Sequence, residues 1–165
     1  MGAARVPRGK IARPVPAKVT APEITRYFPR KRLFRLLDAA RKRPVVWISA
    51  SPGSGKTTLV SSYLDVRRLP CIWYQVDERD ADVATFFHYM GLAAQRAAPR
   101  KRKPLPVLTH QYLPGLPAFT RRFFDELFTR LPAPSVVVFD NYQKIPPESM
   151  LHDVIRDAAA SLPRR

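Results

Sequence analysis

The sequence predicts an α/β domain in which a parallel sheet is flanked by helices. Three short apolar segments, rich in β-branched and aromatic residues, occupy residues 45–49, 71–76 and 136–139. They are nearly continuous rather than alternating, which is typical of strands covered on both faces. Segments of helical length and pattern lie between them, and the order strand, helix, strand, helix, strand indicates a parallel sheet.

The first twenty residues differ in composition from the rest of the chain. They contain five basic residues, three prolines and no acidic residue, so they offer too little apolar surface to offset the entropy lost on ordering. We therefore expect residues 1–20 to form a flexible basic arm and residues 21–165 to form one folded domain. With 165 residues in all, the chain is too short for a multidomain enzyme.

The predicted domain begins with a short helix before the first strand. Apolar residues lie on one face of this helix at 33, 34, 36 and 37, and three basic residues at 41–43 suit its C-terminal end. Pro44 then ends the helix. Tyr27 and Phe28, which precede it, fit either stacking on a nucleotide base or packing in the core.

The other predicted helices lie between the strands. Residues 57–66 follow the first strand, residues 82–97 follow the second, and residues 117–131 precede the third. The basic run at residues 100–103 is followed by prolines and is expected to be an exposed loop. The alternative for this run is a contact with the phosphate backbone of a nucleic acid.

The clearest chemical signal is the sequence Ala-Ser-Pro-Gly-Ser-Gly-Lys-Thr-Thr at residues 50–58, placed between a predicted strand and a predicted helix. Glycines allow backbone conformations in which consecutive N–H groups point at one anion, and the helix dipole adds to that attraction. The pattern predicts that nucleotide phosphates, in the first place those of ATP, are bound by Gly53, Ser54, Gly55, Lys56, Thr57 and Thr58.

Two of these side chains have predicted chemical roles. Lys56 brings a positive charge to the β- and γ-phosphates, and the hydroxyl of Thr57 is suited to bind Mg²⁺. The usual form of this loop has glycine where the chain has Ala50. Alanine is tolerated at that position if its φ is not positive.

An acidic residue for the metal is expected at the end of the third strand. Asp140 follows four apolar residues there, so Thr57 and Asp140 are the predicted Mg²⁺ residues. Hydrolytic relatives commonly have a second acid at the next position, whereas this chain has Asn141. Its amide can orient water but cannot accept a proton, so with Lys56 and Asn141 as the catalytic candidates we expect slow ATP hydrolysis or none.

Three segments together resemble a known family. Residues 49–59, residues 73–82 with the following Phe86 and Phe87, and residues 138–145 are similar to the STAND-class P-loop NTPase module of LuxR-type, maltose-activator-like bacterial transcriptional regulators. The resemblance extends over roughly residues 18–163 and includes alanine at the position of Ala50. It implies a P-loop NTPase fold in which ATP acts mostly as a conformational ligand that permits oligomerisation.

The resemblance also implies what this chain lacks. The family sheet has five strands in the order 5-1-4-3-2, whereas this sequence offers three predicted strands. The resemblance therefore implies that strands 4 and 5 are missing, and that strand 4 would lie between residues 45–49 and residues 136–139. We therefore expect a partial P-loop domain, with an exposed apolar sheet surface and low stability. It would be an N-terminal piece of a larger regulator or a short relative, and residues 23–33 would lie near the adenine.

Composition leaves two alternative functions open. The net charge of +16 indicates an anionic partner, and residues 1–43 hold 13 basic and 2 acidic residues, which suits a nucleic-acid-binding protein. The phosphate loop is also shared with small phosphotransferases such as kinases. The single cysteine, Cys71, and the absence of any apolar run near the 20 or so residues that span a bilayer predict a cytoplasmic protein without membrane contact.

Overall fold

The computed structural model describes residues 16–24, 27–101 and 103–162. Within these ranges the chain forms five α-helices and two β-strands: α1 (Lys31–Ala40), α2 (Lys56–Val66), β1 (Cys71–Gln75), α3 (Val83–Ala97), α4 (Leu116–Phe128), β2 (Val136–Asp140) and α5 (Leu151–Ala160). Short 3₁₀ helices lie at Ala17–Val19, Glu78–Ala81, His110–Gly115 and Tyr142–Lys144. The predicted mixed α/β class is confirmed.

Strands β1 and β2 form a parallel sheet. Cys71 pairs with Val136 at one end of the register and Gln75 pairs with Asp140 at the other. The N–H of Val76 extends the ladder by donating to the Asp140 carbonyl at 2.8 Å. The second and third predicted strands and their parallel orientation are therefore confirmed, and both strands end at the same edge of the sheet.

Strand β1 is covered on both faces, which explains its continuous apolar sequence. Successive strand residues point to opposite faces of a sheet. One face contributes Ile72 and Tyr74 to a large core that includes α3, α4 and α5. The opposite face contributes Trp73 to a smaller core formed with residues of α1 and α2, namely Phe34, Tyr63 and Leu64.

Residues 45–49, predicted as the first strand, do not form a strand. No strand in the described part of the chain pairs with them, and the residues Val45, Val46 and Trp47 are 53%, 40% and 70% exposed. A strand needs inter-strand hydrogen bonds, which β propensity alone does not supply. The expected three-stranded sheet is therefore a two-stranded sheet, and Trp47 makes an edge-to-face contact with Tyr142, with ring centroids 5.4 Å apart.

Helices α1 to α4 correspond to the predicted helices, with ends displaced by a few residues. Helix α5 is a further element that the sequence pattern does not predict. It packs against α4 and buries Leu151, Val154 and Ala158, which follow the spacing of one helical face. None of the helices in the described ranges has the length and apolar character needed to cross a membrane.

Residues 16–20, the end of the predicted arm, pack against the sheet. Val19 is buried, and the ammonium group of Lys18 lies 2.7 Å from a carboxylate oxygen of Asp77 and 2.8 Å from one of Asp80. These residues are thus part of the packed structure. Residues 1–15 lie outside the described residues, and the division into an arm and a domain stays a prediction.

The spaced acidic residues after β1 have structural partners. The buried carboxylate of Asp80 accepts hydrogen bonds from the Tyr74 hydroxyl at 2.6 Å and from the Asp77 N–H at 2.9 Å. The Asp82 carboxylate caps α3 by accepting from the N–H groups of Ala84 and Thr85 at 3.1 and 3.2 Å. These acids therefore hold the turn that leads from β1 into α3.

Candidate functional site

The glycine-rich loop lies directly before α2, as the sequence predicts, and its two glycines have left-handed backbone conformations. Gly53 has φ +75° and Gly55 has φ +80°, a region that costs other residues roughly 1–2 kcal/mol. Positive φ at described non-glycine positions is confined to Arg68 and Asn141. The φ angle of Ala50 is therefore not positive, so alanine can replace the usual glycine at the start of the loop without this backbone strain.

The side chain of Lys56, the first residue of α2, folds back over the loop. Its ammonium group donates to the carbonyl of Ala50 at 2.7 Å and to the carbonyl of Ser51 at 3.1 Å. Within the described residues it forms no ion pair with a carboxylate. The positive charge of Lys56 therefore lies at the loop with neutral partners only, where an anion can interact with it.

Thr57 and Asp140, which are 83 residues apart in sequence, come together at the site. The hydroxyl of Thr57 lies 3.0 and 3.1 Å from the two carboxylate oxygens of Asp140. Thr57 is in the first turn of α2 and Asp140 is the last residue of β2. The contact therefore joins the glycine-rich loop to the carboxyl edge of the sheet and places a hydroxyl and a carboxylate side by side.

Asn141 follows Asp140 with a left-handed backbone at φ +61°, which asparagine tolerates better than most residues. Its N–H donates to Oδ1 of Asp140 at 3.0 Å, so the backbone of Asn141 orients the carboxylate. Next to it, the hydroxyl of Tyr142 is hydrogen-bonded to Nδ1 of His152 in α5 at 2.7 Å. Burial raises the pKa of the Tyr142 hydroxyl.

Arg30 lies at the loop and belongs to the segment 23–33, for which the resemblance implies a position near the adenine, but no sequence motif predicts a role for this residue. It precedes α1, and its Nη1 donates to the carbonyl of Ser54 at 3.1 Å. A Cβ atom placed on Gly55 would lie 3.1 Å from Nη2 of Arg30. The guanidinium group therefore lies against the loop at Ser54 and Gly55. Because Arg30 and Ser54 are 24 residues apart in sequence, the loop motif gives no indication of this contact.

The structure brings the predicted site residues together at one edge of the sheet. Gly53, Ser54, Gly55, Lys56 and Thr57 form the loop and the start of α2, and Asp140 and Asn141 lie at the adjoining sheet edge through the Thr57 contact. Thr58 lies in the same helical turn. Phe28 is 86% exposed and so is not a core residue.

The arrangement can hold an anion and a divalent cation next to each other. Backbone N–H groups at the start of a helix and an ammonium group favour negative charge, whereas a carboxylate and a hydroxyl favour a hard cation. The loop at Ser51, Pro52 and Gly53 is exposed, so a ligand can reach it from solvent. Together these features define a mixed α/β protein with an accessible glycine-rich loop at the carboxyl edge of a parallel sheet.

Comparison with known families identifies the group to which the chain belongs. The family model described as Nephrocystin 3, N-terminal, matches residues 28–160. The match covers most of the chain, including the glycine-rich loop and the end of β2. The chain is therefore a member of the Nephrocystin 3 N-terminal family.

A curated relative is a transcriptional regulator. The chain is 28% identical over 148 residues to the HTH-type transcriptional regulator MalT of Cronobacter sakazakii (strain ATCC BAA-894). The alignment covers 86% of this chain and 16% of that protein, so the chain spans about one sixth of the length of the relative it matches. No solved structure matches the chain.

Proposed function

We propose that this chain is a nucleotide-binding module of the P-loop NTPase class and that ATP is its ligand. The observation that carries the proposal is the position of Lys56 and Thr57 in the first turn of α2, directly after two left-handed glycines, with Thr57 in contact with Asp140. Amide groups, an ammonium group and a helix N-terminus then act on one polyphosphate. The similarity to a transcriptional regulator supports the same proposal.

Mg²⁺ is the metal that these residues fit. It binds through one or two carboxylates together with substrate phosphates and waters, rather than in a cage made only of protein ligands. Thr57 and Asp140 supply one hydroxyl and one carboxylate. Within the described residues no group of three histidine, cysteine or acidic side chains is placed to hold a metal alone. The metal would neutralise phosphate charge, and the two protein ligands would fix its position.

The site is suited to binding more than to hydrolysis. An attacking water needs a base to take its proton, and the residue after Asp140 is Asn141, whose amide is not basic at neutral pH. We propose that ATP acts as a switch ligand in a module with slow turnover or none.

We propose that the module works as part of a larger regulator or as a homo-oligomer. Support comes from the small fraction of the MalT length that the chain matches and from the exposed apolar side chains at residues 45–47. Strand β2 is half-exposed along its whole length. Among the described residues it pairs with β1 alone, which leaves backbone groups unpaired along its other edge. A strand from another segment, placed between residues 45–49 and β2, would cover the exposed apolar side chains at 45–47 and the unpaired edge of β2.

Binding of a fluorescent ATP analogue tests the proposal. We expect saturable binding to the full chain and loss of that binding in Lys56→Ala, because the variant removes the ammonium group at the loop. Lys101→Ala is the matched control, since Lys101 is an exposed lysine outside the site. Equal binding by wild type and Lys56→Ala, with both proteins folded by circular dichroism, would exclude the loop as the binding site.

A further inference from the structure

A groove lies between residues 103–107 and helix α4. It has a volume of about 290 Å³, and the residues that line it include Lys103, Tyr112, Phe119 and Arg122. None of these residues belongs to the glycine-rich loop or to the carboxyl edge of the sheet. The groove is therefore a surface that the proposed nucleotide function does not use.

Positive charge is in excess at this groove. Residues 83–124 contain seven lysines and arginines and no acidic residue. The Glu126 carboxylate, also in the groove wall, is shared between two arginines, at 3.4 Å from Nε of Arg122 and 3.2 Å from Nη2 of Arg130. Lys103 forms no ion pair within the described part of the chain. The groove therefore has a net positive charge, which attracts anions.

The basic segment beside the groove is attached to α4 through its backbone. The guanidinium group of Arg130 donates to the carbonyl of Lys103 at 2.6 Å and to the carbonyl of Pro104 at 3.2 Å. Two further cations, Arg100 and Lys101, are exposed just before Lys103. The contacts of Arg130 thus hold a series of cations at the groove while their charged groups stay in solvent.

An exposed aromatic ring lies in the same groove. Tyr112 is 42% exposed, and its ring packs on the buried Phe119 with centroids 5.5 Å apart and planes inclined by 35°. A ring supported in this way offers a flat face on which a nucleobase can stack. The carboxylates of an acidic peptide would match the cations but would gain nothing from the ring, so the combination favours nucleic acid.

We propose that this groove binds single-stranded nucleic acid, with Lys103 and Arg122 at the phosphates and Tyr112 against a base. A basic groove with a stacking ring is the combination by which proteins bind single strands without reading their sequence. A single strand is preferred to a duplex because its bases are free to stack on the protein. The inference is independent of the nucleotide proposal, since no residue of the phosphate loop takes part.

Fluorescence anisotropy of the full chain with a labelled oligothymidylate tests the phosphate contacts. A strand of about 16 nucleotides is long enough for one small binding domain. In the double variant Lys103→Gln, Arg122→Gln, the slope of log affinity against log salt should fall by about 1.4, because each cation at a single strand contributes about 0.7. The control Lys31→Gln, Arg32→Gln removes the same charge from exposed positions of α1 and should keep the wild-type slope.

A second pair of variants tests the base contact. Tyr112→Leu keeps an apolar side chain on Phe119 but removes the stacking face, and should weaken binding roughly tenfold. Phe28→Leu is the control, because Phe28 is 86% exposed and lies outside the groove. Tighter binding of an oligouridylate of the same length would assign the groove to RNA, and equal or weaker binding would assign it to DNA.

Three results would overturn the inference. They are no binding by folded wild type, an unchanged salt slope in the double variant, and binding of a duplex as tight as that of the single strand. Displacement of the strand by polyglutamate, with no effect of Tyr112→Leu, would assign the groove to an acidic polypeptide instead.

Lys56→Ala separates the groove from the phosphate loop. This variant should bind the oligothymidylate as wild type does, and loss of binding would place the strand at the loop and overturn the inference. Because ATP binding is measured with its own probe, failure of either proposal leaves the other standing.

Discussion

The ammonium group of Lys18 lies 2.8 Å from Oδ2 of Asp80, a carboxylate with no exposed surface. Lys18 itself is 11% exposed, and its ammonium group also lies over the rings of Tyr74 and Tyr89 at 5.3 and 5.4 Å from their centroids. This ion pair attaches the N-terminal segment to the turn that follows β1. A basic residue that composition assigns to the arm thus has a structural function.

Replacing Lys18 by methionine should destabilise the protein. The aliphatic stem would still cover the tyrosine rings, but the buried Asp80 charge would lose its counter-charge, at a cost of about 3 kcal/mol. Chemical denaturation measures the change in the free energy of unfolding. Lys18→Met combined with Asp80→Asn should recover part of the loss, because asparagine can still accept from the Tyr74 hydroxyl. A change below about 1 kcal/mol in the single variant would show that the pair contributes little.

Asp38 should make stability depend on pH in the acid range. Hydrogen bonds from Arg67 and Tyr63 lower the pKa of the Asp38 carboxyl from 3.8 to about 2. Because the pKa is lower in the folded state, the carboxylate stabilises the protein above pH 3.8, and this contribution is lost as pH falls toward 2. Thermal unfolding of wild type and Asp38→Asn should differ near neutral pH and converge near pH 2. A difference that is constant across this range contradicts the prediction.

Asp140→Asn should remove the contribution of Mg²⁺ to ATP binding. The variant keeps a side chain that can accept from Thr57 but loses the negative charge that attracts the cation. We expect wild type to bind ATP more tightly with Mg²⁺ than with EDTA, and Asp140→Asn to show little difference between the two conditions. Asp125→Asn, at an exposed position of α4, is the control. A full Mg²⁺ effect in Asp140→Asn would place the metal elsewhere.

Asn141→Asp tests why turnover should be slow. The left-handed backbone at φ +61° is tolerated by aspartate as well as by asparagine, so the change should leave the turn intact. It adds a carboxylate that can accept a proton from water. We expect ATP hydrolysis, measured as phosphate release, to rise or to stay unchanged. A decrease would indicate that the amide of Asn141 itself takes part in the reaction.

The sequence allowed the loop and the sheet edge to be predicted because their signals are local. The glycines, Lys56 and Thr57 lie within a few residues of one another, and Asp140 directly follows an apolar strand. Strands β1 and β2 could be identified from continuous apolar sequence because both faces of β1 are covered. For the loop and the two strands, the local sequence therefore predicts the same structure that the tertiary contacts stabilise.

Other features depend on partners that are distant in sequence. Residues 45–49 have strand-like composition, but within the described residues no neighbouring strand pairs with them. Arg30 and Lys18 are ordinary basic residues until folding brings them to Ser54 and Asp80, 24 and 62 positions away. Helix α5 has an apolar face of only three buried residues, which is a weak periodic signal. Pairing over such distances cannot be deduced from composition or spacing.

Isothermal titration calorimetry of the full chain with ATP in the presence of Mg²⁺ tests the central proposal most directly. The account predicts saturable heat with a stoichiometry of one nucleotide per chain and the loss of that heat in Lys56→Ala. Folded wild-type protein that gives no heat of binding with ATP or GTP would contradict it.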